Sequence, residues 1–187
     1  MSLPKAVLLD RDGVINFDSP DYILAPEQWR PIPGSLEAVA RLTSAGVPIA
    51  ICSNQSGLGR GMMDQDSFEA IHAKMLLCIE EAGGRIDHVA YCRHGPDDGC
   101  NCRKPKPALL LESLQAFGLE NTPQQALMIG DSVRDMQAAH AAGVPAWLVQ
   151  SGYGDKDKIL EKSRAIMPDI RVFRDLAAAT DEILGET

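Results

Sequence analysis

Three aspartates stand where the chain reads as the ends of buried strands. Asp10 and Asp12 lie in Leu9-Asp10-Arg11-Asp12-Gly13-Val14, directly after the apolar run Ala6-Val7-Leu8-Leu9. Residues i and i+2 of an extended segment point the same way, so both carboxylates face one side, and Gly13 permits a sharp turn behind them. An acidic turn after a strand is the plainer account. Asp131, however, follows a second apolar run, Ala126 to Ile129, and opens a helical pattern. Carboxylates brought together from separate strand ends repel one another unless a cation sits among them. An all-oxygen set that leaves room for water and phosphate suits Mg²⁺.

A second cluster has different chemistry. Cys92-x-His94-x₅-Cys100-x-Cys102 places three of the five cysteines and a histidine within 11 residues. The Gly-Pro-Asp-Asp-Gly between them lets the two pairs fold together, and three thiolates with one imidazole suit tetrahedral Zn²⁺. Four protein ligands leave no open position, so such a zinc would be structural. Arg103 and Lys104 follow Cys102 directly, and a metal-fixed loop would place both. Cys52 and Cys78 lie in apolar contexts and read as core residues.

These groups need a frame, and short apolar runs alternate with helical patterns along the chain. Strands are expected at Ala6–Leu9, Val47–Cys52, Ile86–Tyr91, Ala126–Ile129 and Ala146–Val149. Helices are expected over Ser35–Ala45, after an N-cap at Asp64, over Pro107–Phe117 and over Val133–Ala142. Beyond Asp155 a helix, a short strand near Ile170–Phe173 and a helix to Leu184 are expected. Alternating strands and helices imply right-handed crossovers, so the fold class is α/β: a three-layer Rossmann-like sandwich with a mostly parallel sheet. Ligands of such sheets bind outside the carboxyl ends of the strands, where the polar and metal-binding residues collect.

Composition bounds the rest. At 187 residues, 45% hydrophobic and 24% charged, the chain reads as one globular domain, residues 1–187, with a zinc loop at 92–102. Eighteen basic against 26 acidic residues give a net charge of −8, which argues against tracking nucleic-acid backbones or binding anionic membranes. No run approaches the roughly 20 apolar residues that span a bilayer. Met1-Ser2-Leu3-Pro4-Lys5 lacks the features of a secretory leader. A monomer in a reducing cytoplasm is expected.

The ordered set Asp10-Arg11-Asp12-Gly13-Val14, Ser53, Lys104, and Gly130-Asp131 with Asp135 resembles the four motifs of haloacid dehalogenase superfamily phosphatases. The wider phrases Ser53-Asn54-Gln55-Ser56-Gly57 and Cys102-Arg103-Lys104-Pro105 are similar to those of heptose bisphosphate 7-phosphatases and histidinol-phosphate phosphatases. The resemblance spans about Ala6 to Gly152. It implies Asp10 as nucleophile, attacking phosphorus to give an aspartyl-phosphate, and Asp12 as the group that protonates the leaving oxygen and deprotonates water. It implies Mg²⁺ held by the side chains of Asp10 and Asp131 and the main-chain carbonyl of Asp12. Ser53 and Lys104 would hold the phosphoryl oxygens, and Asp135 would orient Lys104 or support the metal.

The intervals of about 40 residues from Asp10 to Ser53 and about 50 from Ser53 to Lys104 leave no room for a large cap domain. Specificity would come from loops: Asn16, Asp18, Ser19, Asp21 and Tyr22 for sugar hydroxyls, with Arg11, Asn54, Gln55, Ser56 and Arg103 also facing substrate. Arg103 would meet a second phosphate or another anionic group of the substrate. The substrate expected first is a small phosphorylated sugar, D-glycero-D-manno-heptose 1,7-bisphosphate losing its 7-phosphate on the way to lipopolysaccharide core. Histidinol phosphate comes second and a nucleic-acid 3′-phosphate third. The reading from a different class is a zinc-dependent interaction module whose carboxylates only bind metal.

Overall fold

The structure is a computed structural model that describes residues 3–185. Met1 and Ser2 of the expected leaderless start, and the last two residues of the expected domain, lie outside the described residues. Six strands form one sheet in which every pairing is parallel: β1 (Ala6–Leu9), β2 (Ile49–Asn54), β3 (His88–Cys92), β4 (Ala126–Gly130), β5 (Ala146–Val149) and β6 (Arg171–Phe173), in the order β3-β2-β1-β4-β5-β6. The strand order reverses between β1 and β4. That is the switch point beside which open α/β sheets bind ligands.

Alternation along each strand builds the three layers. Val7, Leu9, Ile49, Ile51 and Ile129 face one side and pack on α1 (Ser35–Ser44), the long α3 (Gln65–Glu81) and α7 (Leu176–Leu184). Ala6, Leu8, Ala50, Met128 and Leu148 face the other, against α4 (Ala108–Ala116), α5 (Val133–Ala142) and α6 (Lys156–Ile166). Both faces are covered, which is why β1 and β4 are apolar at every position rather than at alternate ones. Asp64 caps α3 as expected, its carboxylate accepting from the Ser67 N–H at 2.8 Å.

The boundaries differ from expectation where side chains interrupt the ladder. Pro48 has no N–H to donate, so β2 starts at Ile49, although the Pro48 carbonyl still accepts from Val7 at 2.9 Å. The Asp87 carboxylate takes the Ile49 N–H at 2.9 Å in place of a main-chain partner, and β3 starts only at His88. At the other end β2 runs on through Ser53 and Asn54, which pair with Tyr91 and Cys92. A four-residue helix, α2 (Ser56–Gly59), follows, for which the sequence reading has no element. Four residues are too few for any periodicity to show. Between β1 and α1 the chain forms an irregular loop with one 3₁₀ turn at Pro26–Gln28, and no large cap is inserted there.

Candidate active site

The end of β1 puts Asp10 at the switch point, and the turn that follows aims its neighbours. Gly13 takes φ +80°, a conformation open to glycine, and any Cβ there would overlap the Asp131 carboxylate. Gly152, beyond β5, meets the same carboxylate just as closely. Asp131 is thus seated between two glycine backbones after β4. The cleft above these strand ends has a volume of about 250 Å³ and is lined by Asp10, Asp12, Asp131, Ser53 and Lys104 among others.

Asp10 and Asp12 share a turn but not an environment. The Asp10 carboxylate accepts from the Arg11 N–H at 2.7 Å and lies 2.9 Å from the Lys104 ammonium. Asp12 is turned into a ring of donors: Arg11 Nε and Nη2 both at 3.0 Å, Asn16 Nδ2 at 2.8 Å and Gln55 Nε2 at 2.8 Å. A carboxylate gripped by that many donors has its orientation fixed before any substrate arrives.

Lys104 is 1% exposed, yet it is charged because two carboxylates surround it. Burial alone would push the ammonium down, but Asp10 and Asp135 hold it well above the ordinary lysine value. Asp135, fully buried on α5, lies 2.5 Å from Lys104 Nζ. Its second oxygen accepts from Ser132 N–H at 3.0 Å and Ser132 Oγ at 2.6 Å. Burial raises Asp135, but Lys104 and the Ser132 donors outweigh it and hold the group below the usual carboxylate range. Of the two roles open to Asp135 from sequence, the contacts are those of the Lys104 partner.

The metal arithmetic follows from this pairing. Carboxylate oxygens of Asp10, Asp131 and Asp135 lie within 4.8 Å of one another, and Lys104 supplies one positive charge among three negative ones. Burial pushes Asp10 up to about 6, with Asp135 adding to it against Lys104. Asp131 is pushed well above its ordinary value, first by burial and then by Asp135 and Asp10. Two carboxylates crowded beyond what the lysine offsets fit a divalent cation with hard oxygen ligands. The residues present therefore suit Mg²⁺ at Asp10 and Asp131, while both oxygens of Asp135 are already engaged.

Several residues expected to face substrate are brought to the cleft with protein partners of their own. Arg11 is 2% exposed and paired with Asp12. Asn54 uses both ends of its amide on the main chain of Lys104, at 3.0 Å each way. Gln55 bridges Asp12 and the Ser53 hydroxyl, the latter at 3.1 Å. These contacts position other site residues. Asn16 departs from the expectation for its loop: it is wholly buried, its amide N–H groups donate to Asp12 and the Phe17 carbonyl, and it does not line the cleft. Asp18, Ser19, Tyr22, Ser56 and Arg103 do line the cleft. So do Arg134 and Tyr153, to which no motif in the sequence points.

The Cys/His cluster closes at the end of β3. Ligand-type atoms of Cys92, His94, Cys100 and Cys102 all lie within 4.8 Å of one another. Cys92 Sγ is 3.7 Å from Cys100 Sγ and 3.8 Å from His94 Nδ1, and His94 Nδ1 is 3.2 Å from Cys102 Sγ. A disulfide needs about 2.05 Å. A tetrahedron of about 2.3 Å Zn–S bonds has edges of about 3.8 Å, close to the spacing seen. The loop also touches the site frame, because the Gly59 N–H of α2 donates to the Arg93 carbonyl at 2.9 Å.

Comparison with known proteins agrees with this geometry. The family model for haloacid dehalogenase-like hydrolases matches residues 6–143. The chain is 43% identical over 183 residues to the D-glycero-beta-D-manno-heptose-1,7-bisphosphate 7-phosphatase of Bordetella bronchiseptica, covering 97% of this chain and 99% of that one. It is 42% identical over 178 residues to the enzyme of the same name from Pseudomonas aeruginosa, covering 95% and 97%. The crystal structure of D,D-heptose 1,7-bisphosphate phosphatase from B. bronchiseptica, complexed with magnesium and phosphate, superposes with a TM-score of 0.89 at 41% identity over 100% of both chains. An aspartate pair after the first strand, a buried lysine and an acidic turn after the fourth strand, in a chain matched over that span, have one family in common: the chain belongs to the haloacid dehalogenase-like hydrolases.

Proposed function

We propose that this phosphatase removes the 7-phosphate of D-glycero-beta-D-manno-heptose 1,7-bisphosphate through an aspartyl-phosphate on Asp10. The observation that carries the reading is the Asp10 carboxylate, held 2.9 Å from a buried Lys104 at the floor of a cleft, in a chain so close to heptose bisphosphate phosphatases. An oxygen of Asp10 attacks phosphorus and the bond from phosphorus to the sugar oxygen breaks. Asp12, fixed by Arg11, Asn16 and Gln55, gives its proton to the departing oxygen. Water then attacks the aspartyl-phosphate, Asp12 takes a proton back, and inorganic phosphate leaves with Asp10 restored. Ser53 and Lys104 bind the phosphoryl oxygens throughout, and Asn54 and Asp135 keep Lys104 in place. Mg²⁺, held by Asp10 and Asp131 with the Asp12 main-chain carbonyl, supplies charge that offsets the repulsion between carboxylate and phosphate dianion.

On the same reading the chain is one domain, residues 1–187, working as a monomer in the cytoplasm. No helix among the described residues is long and apolar enough to cross a membrane. The Cys92, His94, Cys100 and Cys102 site holds structural Zn²⁺, which braces Arg103 and Lys104 through their bond to Cys102. About one zinc per chain is expected by elemental analysis. Stripping it with a strong chelator, followed by Mg²⁺ replenishment, is expected to lower turnover roughly 10-fold in protein that stays folded. Unchanged turnover would show that the loop does not brace the site.

The deciding experiment is Mg²⁺-dependent phosphate release from heptose 1,7-bisphosphate, histidinol phosphate and a 3′-phosphorylated oligonucleotide. The bisphosphate should turn over fastest and keep its 1-phosphate. Preference for histidinol phosphate would replace the substrate assigned here. Absence of release from every ester would leave the zinc-dependent interaction module.

A further inference from the structure

We propose that Arg134 anchors the phosphate that does not react, and so selects sugar bisphosphates over monophosphates. The inference deepens the phosphatase reading above and rests on it. Four cationic side chains line the cleft: Arg11, Arg103, Lys104 and Arg134. Two of them are neutralised within the protein, Arg11 by Asp12 at 2.9 Å and Lys104 by Asp10 and Asp135 at 2.9 and 2.5 Å. Arg103 is drawn towards the Cys/His loop, its Nη1 donating to the His94 carbonyl at 3.3 Å. Arg134 makes no hydrogen bond or ion pair among the described residues, although its charge acts on Asp18, another lining residue.

The charge balance of the cleft explains why that freedom matters. Asp10, Asp12, Asp18 and Asp131 line the same space. A second phosphate carries roughly −1.5 to −2 charge at neutral pH and would be repelled unless a cation not already committed receives it. Arg134 can do so without giving up an existing partner. Its planar fork matches a phosphate through paired hydrogen bonds, which a point charge cannot do.

The backbone beneath it is fixed. Arg134 is the second residue of α5, between the Ser132 and Asp135 positions that are tied to each other at 2.6 Å. Asp135 turns into the core to hold Lys104, while the adjacent Arg134 turns out to the solvent side of the cleft. One turn of helix thus sets both the lysine at the reacting phosphate and the arginine at the rim. The positive end of the α5 dipole lies on the same side and favours an anion there.

The test compares kcat/KM on heptose 1,7-bisphosphate and heptose 7-phosphate for wild type, Arg134→Ala, Arg134→Lys and Arg103→Ala. Arg134→Ala is expected to lower the bisphosphate-to-monophosphate ratio about 10- to 100-fold, mainly through KM, as for loss of a charged hydrogen-bonding pair. Arg134→Lys should recover part of the ratio, since charge returns without the fork. Thermal melting of the variants should match wild type, because the side chain is exposed. A ratio unchanged in Arg134→Ala, or lost only in Arg103→Ala, overturns the inference and leaves the heptose reading standing. Wild-type protein inactive on the bisphosphate overturns that reading, and this inference falls with it.

Discussion

Asp10→Asn is expected to lower phosphate release at least about 10⁴-fold, because a neutral amide cannot form the aspartyl-phosphate. The fold should survive, and in metal-free protein it should gain. Burial raises the Asp10 carboxyl from 3.8 to about 6 despite Lys104 nearby, so ionising it inside the folded chain costs stability. A group whose folded pKa is raised favours the native state fully below about 3.8, and that advantage is lost as pH rises through about 6. Asparagine keeps the shape and never ionises. With EDTA present, the melting temperature of Asp10→Asn relative to wild type should therefore climb between pH 4 and 6 and stay at or above wild type at pH 7. Lys104 keeps Asp135 as its counter-charge in this variant, so no buried cation is stranded. Activity above about 1% of wild type would rule out Asp10 as the nucleophile, and a collapse of the fold would mean that Lys104 depends on Asp10 more than on Asp135.

Much of this arrangement is legible in the residues themselves, for definite reasons. Parallel strands covered on both faces leave unbroken apolar runs, so Ala6–Leu9 and Ala126–Ile129 announce themselves, and with them the places of Asp10 and Asp131. The Cys92 to Cys102 cluster is legible because its members are close in sequence as well as in space. Side-chain direction within a polar motif is not. Arg11, Asn16 and Asn54 carry the polar groups expected of a sugar site, but each finds a nearer partner: Asp12 for the first two and the Lys104 main chain for the third. Type and spacing place such residues near a site without saying which neighbour they bond. Arg134 is hidden for the opposite reason, since it has no hydrogen-bond or ion-pair partner among the described residues, and the motif around it marks Asp131 and Asp135 rather than Arg134. Its place in the cleft depends on the turn of α5 that buries Asp135 beside it. The one local signal there is Ser132-x-x-Asp135, a capping pattern that predicts the bond between those two residues and with it the inward turn of Asp135.

That inward turn carries the second large effect. Asp135→Ala is expected to destabilise the protein by about 3 kcal/mol, the lower end of what removing one partner of a buried ion pair costs. The cost stays at that end because Asp10 still lies 2.9 Å from the stranded ammonium. The same variant removes the acceptor for both the N–H and the hydroxyl of Ser132 and loosens the first turn of α5, so Asp131 and Lys104 both lose their settings. Turnover should fall with stability rather than independently of it. Asp135→Asn keeps an acceptor and the shape but not the charge, and should cost less than the alanine variant. A double-mutant cycle separates the pair from the cavity: Lys104→Met relieves the stranded charge, so Lys104→Met with Asp135→Ala should be less destabilised than the two single changes added together. A coupling of about 1 to 3 kcal/mol is expected from urea unfolding of the four proteins. Strict additivity would mean that the 2.5 Å contact between Lys104 and Asp135 contributes nothing beyond packing, and that Asp10 alone keeps the lysine charged.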